Sequence, residues 1–574
     1  MEVKIANSEP LLIIPLGGVE EIGLNMTVIQ YSTDLIIIDA GLMFPEENML
    51  GVDLVIPDFS YILQNREKIK GIILTHGHED HTGALPFLLK ELNQTNPLQE
   101  FNGTNPANSN VSVYGTPLTL ALIKEKLKEH NLFDVRLMPV RPRESITLGA
   151  FNVEFIRVTH SIVDGVGLGI STPFGNIIHT GDFKLDPTPV DGELMDFHKF
   201  TEYGEKGVLL MLSDSTNAEK GGFTFSEKEV YRAFEDIFFK TTGRIIITTF
   251  ASNIHRIQQA IDVAVQHKRK IVMCGKSMVS NAQIALDLGY LKIPKDTWIQ
   301  IEHLKNIPDS EVVIITTGSQ GEPMSVLSRI ATGEHKHINI KDGDTVIVSA
   351  KAIPGNERSI GKIVNHLMKR GANVIYEKVS EIHVSGHASK EELKLMINLI
   401  KPKYFMPVHG EYRHLKCHAR LAEKSGVFPN NIFIMENGTV LEITETGAVI
   451  NGKIISGRVF IDGKGVAGVE DAVIRDRRRL AHDGIVIVFV GIERASKKIV
   501  SGPEIISRGF VFEDASHDII NEVKELMAST LMSCEDDIIS NVSFVQAKLR
   551  STLKKYLRNK MDRKPMILPI VIEV

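Results

Sequence analysis

The sequence predicts an α/β protein of several domains. It has a core of two sheets with helices packed outside, a block of alternating strands and helices inserted into that core, and a small α/β unit at the end. Three observations lead there. Short β-branched runs punctuated by glycine fill the first part of the chain; from about Glu227 the rhythm becomes strand–helix alternation; near Ile382 the histidine-bearing turns of the first part return. That return marks the middle block as an insertion. The predicted layout is 1–225 for the first part of the core domain, 226–379 for the inserted block, 380–462 for the second part of the core, 463–480 for a linker and 481–574 for a terminal domain.

In chain order, "LLIIPLGG", "NMTVIQYS", "DLIIIDAG" and "KGIILTHG" read as strands, three of them ending at glycine or a polar cluster. "ALPFLLKELN" and the amphipathic "TLALIKEKLKEH" read as helices. Strands follow in "FNVEFIRVTH", "GLGISTPFG" and "NIIHTGD". In the middle block the helices "EKEVYRAFEDIFFK" and "HRIQQAIDVAVQH" alternate with the strands "RIIITTF", "KIVMCG", "VVIITTG" and "DTVIVSA". Strands this apolar on both faces suit a parallel sheet covered by helices. The terminal unit reads as strands "GIVIVFVGI" and "RGFVF", two helices and a last strand "MILPIVIEV", with the basic run "IRDRRRL" placed in the linker before it.

A chain of 574 residues exceeds what one hydrophobic core serves. Its hydrophobic and charged fractions, 43% and 24%, are those of globular proteins and exclude a disordered or fibrous chain. No apolar run approaches the roughly 18 residues of a membrane span, and the first residues lack the basic and cleavage-site features of a signal peptide. Cys274, Cys417 and Cys534 lie far apart and odd in number, so no disulfide framework is expected and a reducing cytoplasm is. A net charge of -6 means that any attraction for nucleic acid must come from local patches or bound metals. The Asn- and Pro-rich segment 93–110 is expected to be a surface loop. "KLRSTLKKYLRNKMDRK" is first a helix with a solvated basic face, and only second an RNA contact.

The chemistry concentrates in "LTHGHEDHTG", residues 74 to 83. His76 and His78, two apart on an extended turn, face the same way and can share one metal, while Asp80 and His81 can turn to a second. Two ions ask for about eight ligand positions, more than this run supplies. The other candidates sit at strand ends: His160 in "FIRVTHSIVD", Asp182 in "IIHTGDFKLD" and His409 in "YFMPVHGEY". An aspartate such as Asp182 can bridge two ions through its two oxygens. Imidazole and carboxylate without thiolate suit Zn²⁺ or Mn²⁺ and argue against an iron–sulfur cluster.

The pattern H-x-H-x-D-H with a later His, Asp and His resembles the signature of the metallo-β-lactamase fold. Asp39 in "IIIDAG" matches that family's first motif, whose aspartate orients the ligand loop through hydrogen bonds. "LSDSTNA", "HVSGHAS" and "PVHGEY" resemble motifs A, B and C of the β-CASP nucleic-acid-processing branch, with Asp214, His387 and His409 at those positions. "GGVEEIGLNM", "FPEENMLGVDLVIPDF", "TTFASNIHRIQQ", "TTGSQGEP" and "IPGNE" are similar to ribonuclease J, a resemblance that runs over nearly the whole chain and includes that family's C-terminal domain. Leu24 departs from it, standing where the family often has lysine, and the Asn-rich segment looks inserted.

The resemblance implies a metallo-β-lactamase αββα sandwich with an inserted β-CASP α/β domain and a small C-terminal α/β domain. It implies two divalent ions, Zn²⁺ first and Mn²⁺ as the alternative: His76, His78 and His160 on one, Asp80, His81 and His409 on the other, Asp182 bridging, and a hydroxide between them. Asp80, Asp182 and His387 would be the catalytic residues, His387 at the non-bridging oxygens or the leaving group and Asp80 helping to orient water. The implied activity is a ribonuclease working 5′ to 3′ with some internal cleavage, in RNA maturation and mRNA decay in the cytoplasm. The implied partners are RNA with a 5′-monophosphate, further copies of the chain in a dimer or tetramer, and RNA-degradation or ribosome-associated proteins.

For the 5′-phosphate, "TTGSQGE" offers Gly318 and Ser319 in a turn of backbone N–H groups, and "FASNIHR" places Ser252 and Asn253 at a helix start. Arg256 would add charge and His255 a contact to the chain; "HVSGH" adds Ser385 and Gly386 beside His387, and His383, also a substrate-binding candidate, is the weaker choice for the role given to His387. The rival readings are a DNA-processing nuclease of the same branch, a small-molecule hydrolase of the lactamase or glyoxalase type, and a non-catalytic RNA-binding subunit. The filled ligand set opposes the last, and the inserted block with His387 opposes the small-molecule reading.

Overall fold

The computed structural model describes residues 9–46, 48–93, 111–322, 324–351, 356–376, 382–463, 471–493, 496, 498–510, 517–533, 541–561 and 563–573. Most of the Asn-rich segment, 94–110, lies outside these residues, as do 353–355 of "IPGNE" and Cys534. The chain forms two compact units: Met1–Met43 with Val55–Val459, and Phe44–Leu54 with Phe460–Val574.

The first unit holds a two-sheet sandwich. One sheet has eight strands in the order Gly447–Lys453, Thr439–Thr444, Leu11–Gly17, Met26–Tyr31, Asp34–Ile38, Ile69–Ile73, Val113–Gly115, Leu137–Pro139. The other has six, in the order Tyr404–Val408, Val208–Asp214, Gly175–His179, Val166–Thr172, Phe151–Arg157, Ser145–Leu148. Alternation along each strand explains the layering. Val153, Phe155, Ile177, Leu210, Leu212 and Met406 share one buried cluster with Ile13, Ile29, Ile36 and Ile38 of the facing sheet. The intervening Ile156, Ile178, Met211 and Phe405 point the other way, onto Phe200, Met396 and Ile397 of the covering helices.

Between Val208–Asp214 and Tyr404–Val408 the chain builds a five-stranded, wholly parallel sheet in the order Lys270–Cys274, Val312–Thr316, Ile245–Thr248, Thr345–Val348, Asn373–Ile375. Both faces are covered: Ile245, Ile247, Val313 and Ile315 belong to one cluster, Ile246, Val312, Ile314 and Val346 to another. Leu118, Leu122, Ile162 and Val163 of the sandwich join the first of these, so the two sheets' supports share apolar packing.

In the second unit a three-stranded sheet, Ile499–Arg508, Ile485–Ile492, Met566–Glu573, packs on helices His517–Met532 and Val542–Met561. Val545, Leu549, Leu553 and Leu557 form the buried stripe of the last helix, which leaves its basic residues as a solvated face. Two expectations need correction here. The segment 463–480 is not linker throughout, because Asp471–Asp483 is helical. Arginine is a good helix former, and Arg477 and Arg478 donate to the carbonyls of Gly51 and Asn48, which tie the run down. The strand expected at "RGFVF" is not formed at Gly509 and Phe510, and Val511 and Phe512 lie outside the described residues; a strand spans Ile499–Arg508 instead. Its Gly502-Pro503 reads as a turn, but on the edge of a sheet proline removes no ladder bond, and the register shift beside Gly491 absorbs the irregularity.

Candidate metal centre

Strand direction gathers the site. The strands Phe151–Arg157, Gly175–His179, Val208–Asp214 and Tyr404–Val408 point the same way, so His160, Asp182, Asp214 and His409 emerge at one edge of their sheet. In the facing sheet the parallel strands Asp34–Ile38 and Ile69–Ile73 deliver Asp39 and His76 to the same place. A short helix, Glu79–Thr82, then carries Asp80 and His81 back over it. Asp39 and His409 sit at φ 60 and φ 55, a left-handed backbone uncommon outside glycine and characteristic of functional positions.

Three overlapping groups of donors result: His76, His78 and His160; Asp80, His81, Asp182 and His409; and Asp182, Asp214, His387 and His409, of which the first two are the sets expected from the sequence. His78 Nδ1 lies 3.0 Å from His76 Nε2 and 3.2 Å from His160 Nε2. Two nitrogens about 2.0–2.1 Å from one tetrahedral ion sit roughly 3.3 Å apart, so these three rings are spaced for a shared ion. In the second group His409 Nε2 is 3.2 Å from Asp80 Oδ2. Asp182 Oδ2 stands between the groups, 3.2 Å from His81 Nε2 and 3.8 Å from Nε2 of each of His76, His160 and His409. Asp182 is buried, whereas Asp80 keeps 32% of its side chain exposed and His387 18%, so the cluster opens on their side.

The far nitrogen of four rings is held. His81 Nδ1 donates to Asp39 Oδ2 at 2.8 Å, and Asp39 is itself fixed by the Thr75 N–H and hydroxyl at 2.8 and 2.9 Å. His76 Nδ1 meets the Thr75 hydroxyl at 3.1 Å. His160 Nδ1 donates to the Gly386 carbonyl at 2.7 Å. His409 Nδ1 donates to the Thr216 hydroxyl at 2.5 Å, which donates on to Asp214 Oδ1 at 2.8 Å. Each arrangement turns Nε2 toward the centre, the nitrogen through which such a ring would bind metal; the Asn25 amide lies 3.1 Å from that of His81. Asp214 also takes His387 Nδ1 at 2.8 Å. Thr75, Thr216, Asn25 (whose amide donates to the Asp80 carbonyl at 3.0 Å) and Asn217 (to the His387 carbonyl at 2.9 Å) were not legible as site residues. Their only signal is a polar side chain beside a motif.

The charges suit a divalent cation. Asp39, Asp80, Asp182 and Asp214 lie together, and among the described residues none is paired with lysine or arginine. Burial would lower the pKa of His81 and His409, but the surrounding aspartates, Asp182 first, raise His81 well above its ordinary value and His409 to about 10. Burial also opposes ionisation of Asp80 and Asp182, yet His81 and His409 hold both below the usual carboxylate range. His78 and His160, where burial dominates, fall to about 4 and about 3. Carboxylates that force protons onto neighbouring imidazoles are what a divalent ion would relieve, so the donor set fits the metals that the sequence leads one to expect.

The residues expected to contact phosphate fare unevenly. Arg256 is wholly buried, its guanidinium bonded to Glu227 and to the carbonyls of Ser349 and Ile382, so it offers no charge to a substrate. A charged fork that close to Glu227 is neutralised inside the core rather than aimed outward. Asn253 uses its side-chain oxygen to cap the helix Ile254–Gln266. His255 donates toward Asp191 and lines a cavity of about 140 Å³ in which Asp164, Asp186, Asp191, Glu193 and Glu227 outnumber Arg157 and the histidines, a poor setting for an anion. Ser385 accepts from Asn217 and from the His387 N–H, and a Cβ on Gly386 would stand 2.6 Å from the His160 ring; both shape the site. His383 keeps an unpartnered Nδ1, and burial, with Arg256 next, lowers its pKa to about 3, so it is neutral. Gly318 takes φ 106 and packs against Ser325 and Leu327, with Ser319 buried beside it.

Four family descriptions match the chain: "Metallo-beta-lactamase superfamily" at residues 21–215, "Ribonuclease J, beta-CASP domain" at 242–367, "Zn-dependent metallo-hydrolase RNA specificity domain" at 371–435 and "Ribonuclease J C-terminal domain" at 472–574. Among similar proteins, Ribonuclease J 1 of Streptococcus pyogenes is 44% identical over 98% of this chain and 97% of its own. Ribonuclease J2 of Bacillus subtilis is 43% identical over 100% of both. Ribonuclease J of Thermus thermophilus is 42% identical over 98% of this chain and 95% of its own. A crystal structure of a protein of unknown function from Enterococcus faecalis V583 superposes with a TM-score of 0.53 at 16% identity, covering 75% of this chain and 100% of that one, and shares the fold alone.

Proposed function

The chain belongs to the ribonuclease J family of metal-dependent ribonucleases, and from that premise we propose that it degrades and trims RNA from a 5′-monophosphate end, with some internal cleavage, at a two-metal centre. The observation that carries this reading is Asp182 Oδ2, set between two groups of inward-facing imidazole nitrogens. His76, His78 and His160 would hold one ion, Asp80, His81 and His409 the other, with Asp182 shared; Zn²⁺ suits these donors best and Mn²⁺ is the alternative. Bound there, the ions supply Lewis acidity and a nucleophilic water at neutral pH.

The chain's own residues do the rest. Asp39 and Thr75 aim His81 and His76; Thr216 aims His409; Gly386 aims His160. Asp214 fixes His387 through Nδ1, which leaves Nε2 facing the centre to assist at a phosphate oxygen or at the departing O3′. Asp80, partly exposed, would orient the attacking water. For the 5′-phosphate the remaining candidates are Ser252, Ser319 and neutral His383, which bind through neutral hydrogen bonds rather than charge. Self-association as a dimer or tetramer and a role in RNA maturation and mRNA decay belong to the same proposal. Among the described residues no helix is long and apolar enough to cross a membrane.

The test is one end-labelled RNA in three forms, 5′-monophosphate, 5′-triphosphate and 5′-hydroxyl, given to the metal-loaded chain, the metal-stripped chain and His76→Ala. Metal-dependent mononucleotide release, fastest from the monophosphate, is expected. Internal fragments independent of the 5′ group would remove the end-sensing reading. No cleavage by the loaded chain would remove the ribonuclease activity itself.

A further inference from the structure

Arg256 is among the largest fully buried side chains of the protein and lies at the point where three segments meet. Nη2 donates to Glu227 Oε2 at 2.7 Å, and Glu227 immediately precedes helix Lys228–Lys240, the first element leading into the parallel sheet. Nη1 donates to the Ile382 carbonyl at 2.9 Å, just after the last strand of that sheet, and to Ser349 at the end of strand Thr345–Val348. One guanidinium therefore clasps the chain where it goes into the inserted block, where it comes out, and at the block's own sheet.

Glu227 extends the clasp to the metal side. Its other oxygen lies 3.5 Å from Lys184 Nζ, and its N–H donates to Asp186 at 3.0 Å. Lys184 is buried and its backbone is laced to Thr159: N–H to carbonyl at 2.8 Å, and the Thr159 hydroxyl back to the Lys184 carbonyl at 2.6 Å. Thr159 precedes His160, and Lys184 follows Asp182 by two residues.

We propose that Arg256 and Glu227 form a pin that sets the position of the inserted block over the metal centre, and thereby how well RNA is held, without touching RNA or metal. The proposal rests on the ribonuclease reading above. A buried ion pair is a poor means of gaining stability, since apolar side chains of equal volume serve as well; what it adds is a fixed direction. A lysine in place of Arg256 keeps the charge but loses the planar fork that spans three partners. Both residues act as positioning residues.

The experiment uses the full chain carrying Arg256→Lys, Ser349→Ala, or the double change Arg256→Met with Glu227→Leu, which removes both charges together. Two substrates separate the effects: a 5′-monophosphorylated RNA, and bis(p-nitrophenyl) phosphate, which is small enough to need only the metal site. RNA affinity of the metal-free chain is read by fluorescence anisotropy. For Arg256→Lys and the double variant, RNA KM and metal-free Kd should rise roughly tenfold, in the range that packed networks transmit, while turnover of the small ester stays within about twofold. Ser349→Ala uncovers no charge and should shift RNA affinity the same way by less; it carries the test if the others fail to fold. Unchanged RNA affinity in folded variants overturns the pin, as does loss of small-ester turnover in parallel with RNA, which would place the pair's effect at the metals. If the unaltered chain cleaves neither substrate, the ribonuclease reading fails, and the anisotropy comparison still decides the pin.

Discussion

Asp39 and His81, 42 residues apart in sequence, meet at 2.8 Å between Oδ2 and Nδ1, and the contact ties the ends of two neighbouring strands to the helix that closes the metal centre. The carboxylate fixes the His81 tautomer and makes Nε2 a stronger donor. Asp39→Asn tests this cleanly, because asparagine also accepts the left-handed backbone at φ 60. Metal affinity should fall about 10- to 100-fold, measured by competition with a chromophoric chelator. An unchanged affinity would show that Asp39 serves the fold and not the ligand.

Gly386→Ala should disable the centre through His160. The added Cβ would lie 2.6 Å from the ring's Cε1 and Nδ1 and 2.8 Å from Ser161 Oγ, too close for any side chain. Displacing a ligand by about an ångström costs on the order of 100-fold in rate. Activity should drop by that order while the melting temperature moves little, and a variant that melts normally and cleaves normally would contradict the contact.

Asp214→Asn should release His387, and metal affinity measured beside cleavage separates that effect from any passed to His409 through Thr216. The amide cannot hold a protonated Nδ1 as a carboxylate does, so the ring loses both its tautomer and its aim. Single-turnover cleavage should slow by about 10²–10⁴-fold with little change in RNA KM. A rise in KM alone would instead make His387 a binding residue.

Acid should loosen the Glu227 contact in a defined window. Burial would raise this carboxyl, but Arg256 and then Lys184 overcome it and hold the pKa at about 2 against an ordinary 4.5. A depressed folded-state pKa contributes stability that is present in full above the unfolded value and is lost as pH falls from there toward the folded one. The stake is on the order of 3 kcal/mol. Denaturant unfolding of Glu227→Gln should therefore be less stable than the unaltered chain at neutral pH, with the gap closing between about pH 4.5 and pH 2; a constant gap would contradict the linkage.

Stripping divalent ions should lower the melting temperature as well as the activity, because four clustered carboxylates then lack their counter-charge. Metal at a thousandfold excess over Kd contributes about 4 kcal/mol, which calorimetry with and without chelator would resolve. Equal melting curves would mean that the donors are held apart by the fold whether or not they are filled.

Much of this was legible in the chain itself. Strands such as Asp34–Ile38 and Ile245–Thr248 announce themselves by β-branched runs, and His76, His78, Asp80 and His81 by a density of costly polar groups that only a ligand would justify. The Gly502-Pro503 strand and the helical basic run Asp471–Asp483 did not, because proline and charge read locally as turn and linker while their neighbours in space decide otherwise. Thr75 and Thr216 were invisible for the same reason: a hydroxyl carries no pattern until the ring it steadies lies beside it.

By itself the sequence determined which residues can bind metal, because ligand chemistry belongs to side-chain type and the H-x-H-x-D-H spacing is set by the local backbone. It also determined the layered α/β fold, because hydrophobic period is a local property. Only the tertiary structure decided where Arg256 goes. Its position in the chain, at a helix start beside Ser252 and Asn253, suits an anion site; the segments that cross over it bury it against Glu227 and Ile382. Whether a charge meets solvent, substrate or another charge depends on what packs above it, and that is settled by contacts distant in sequence.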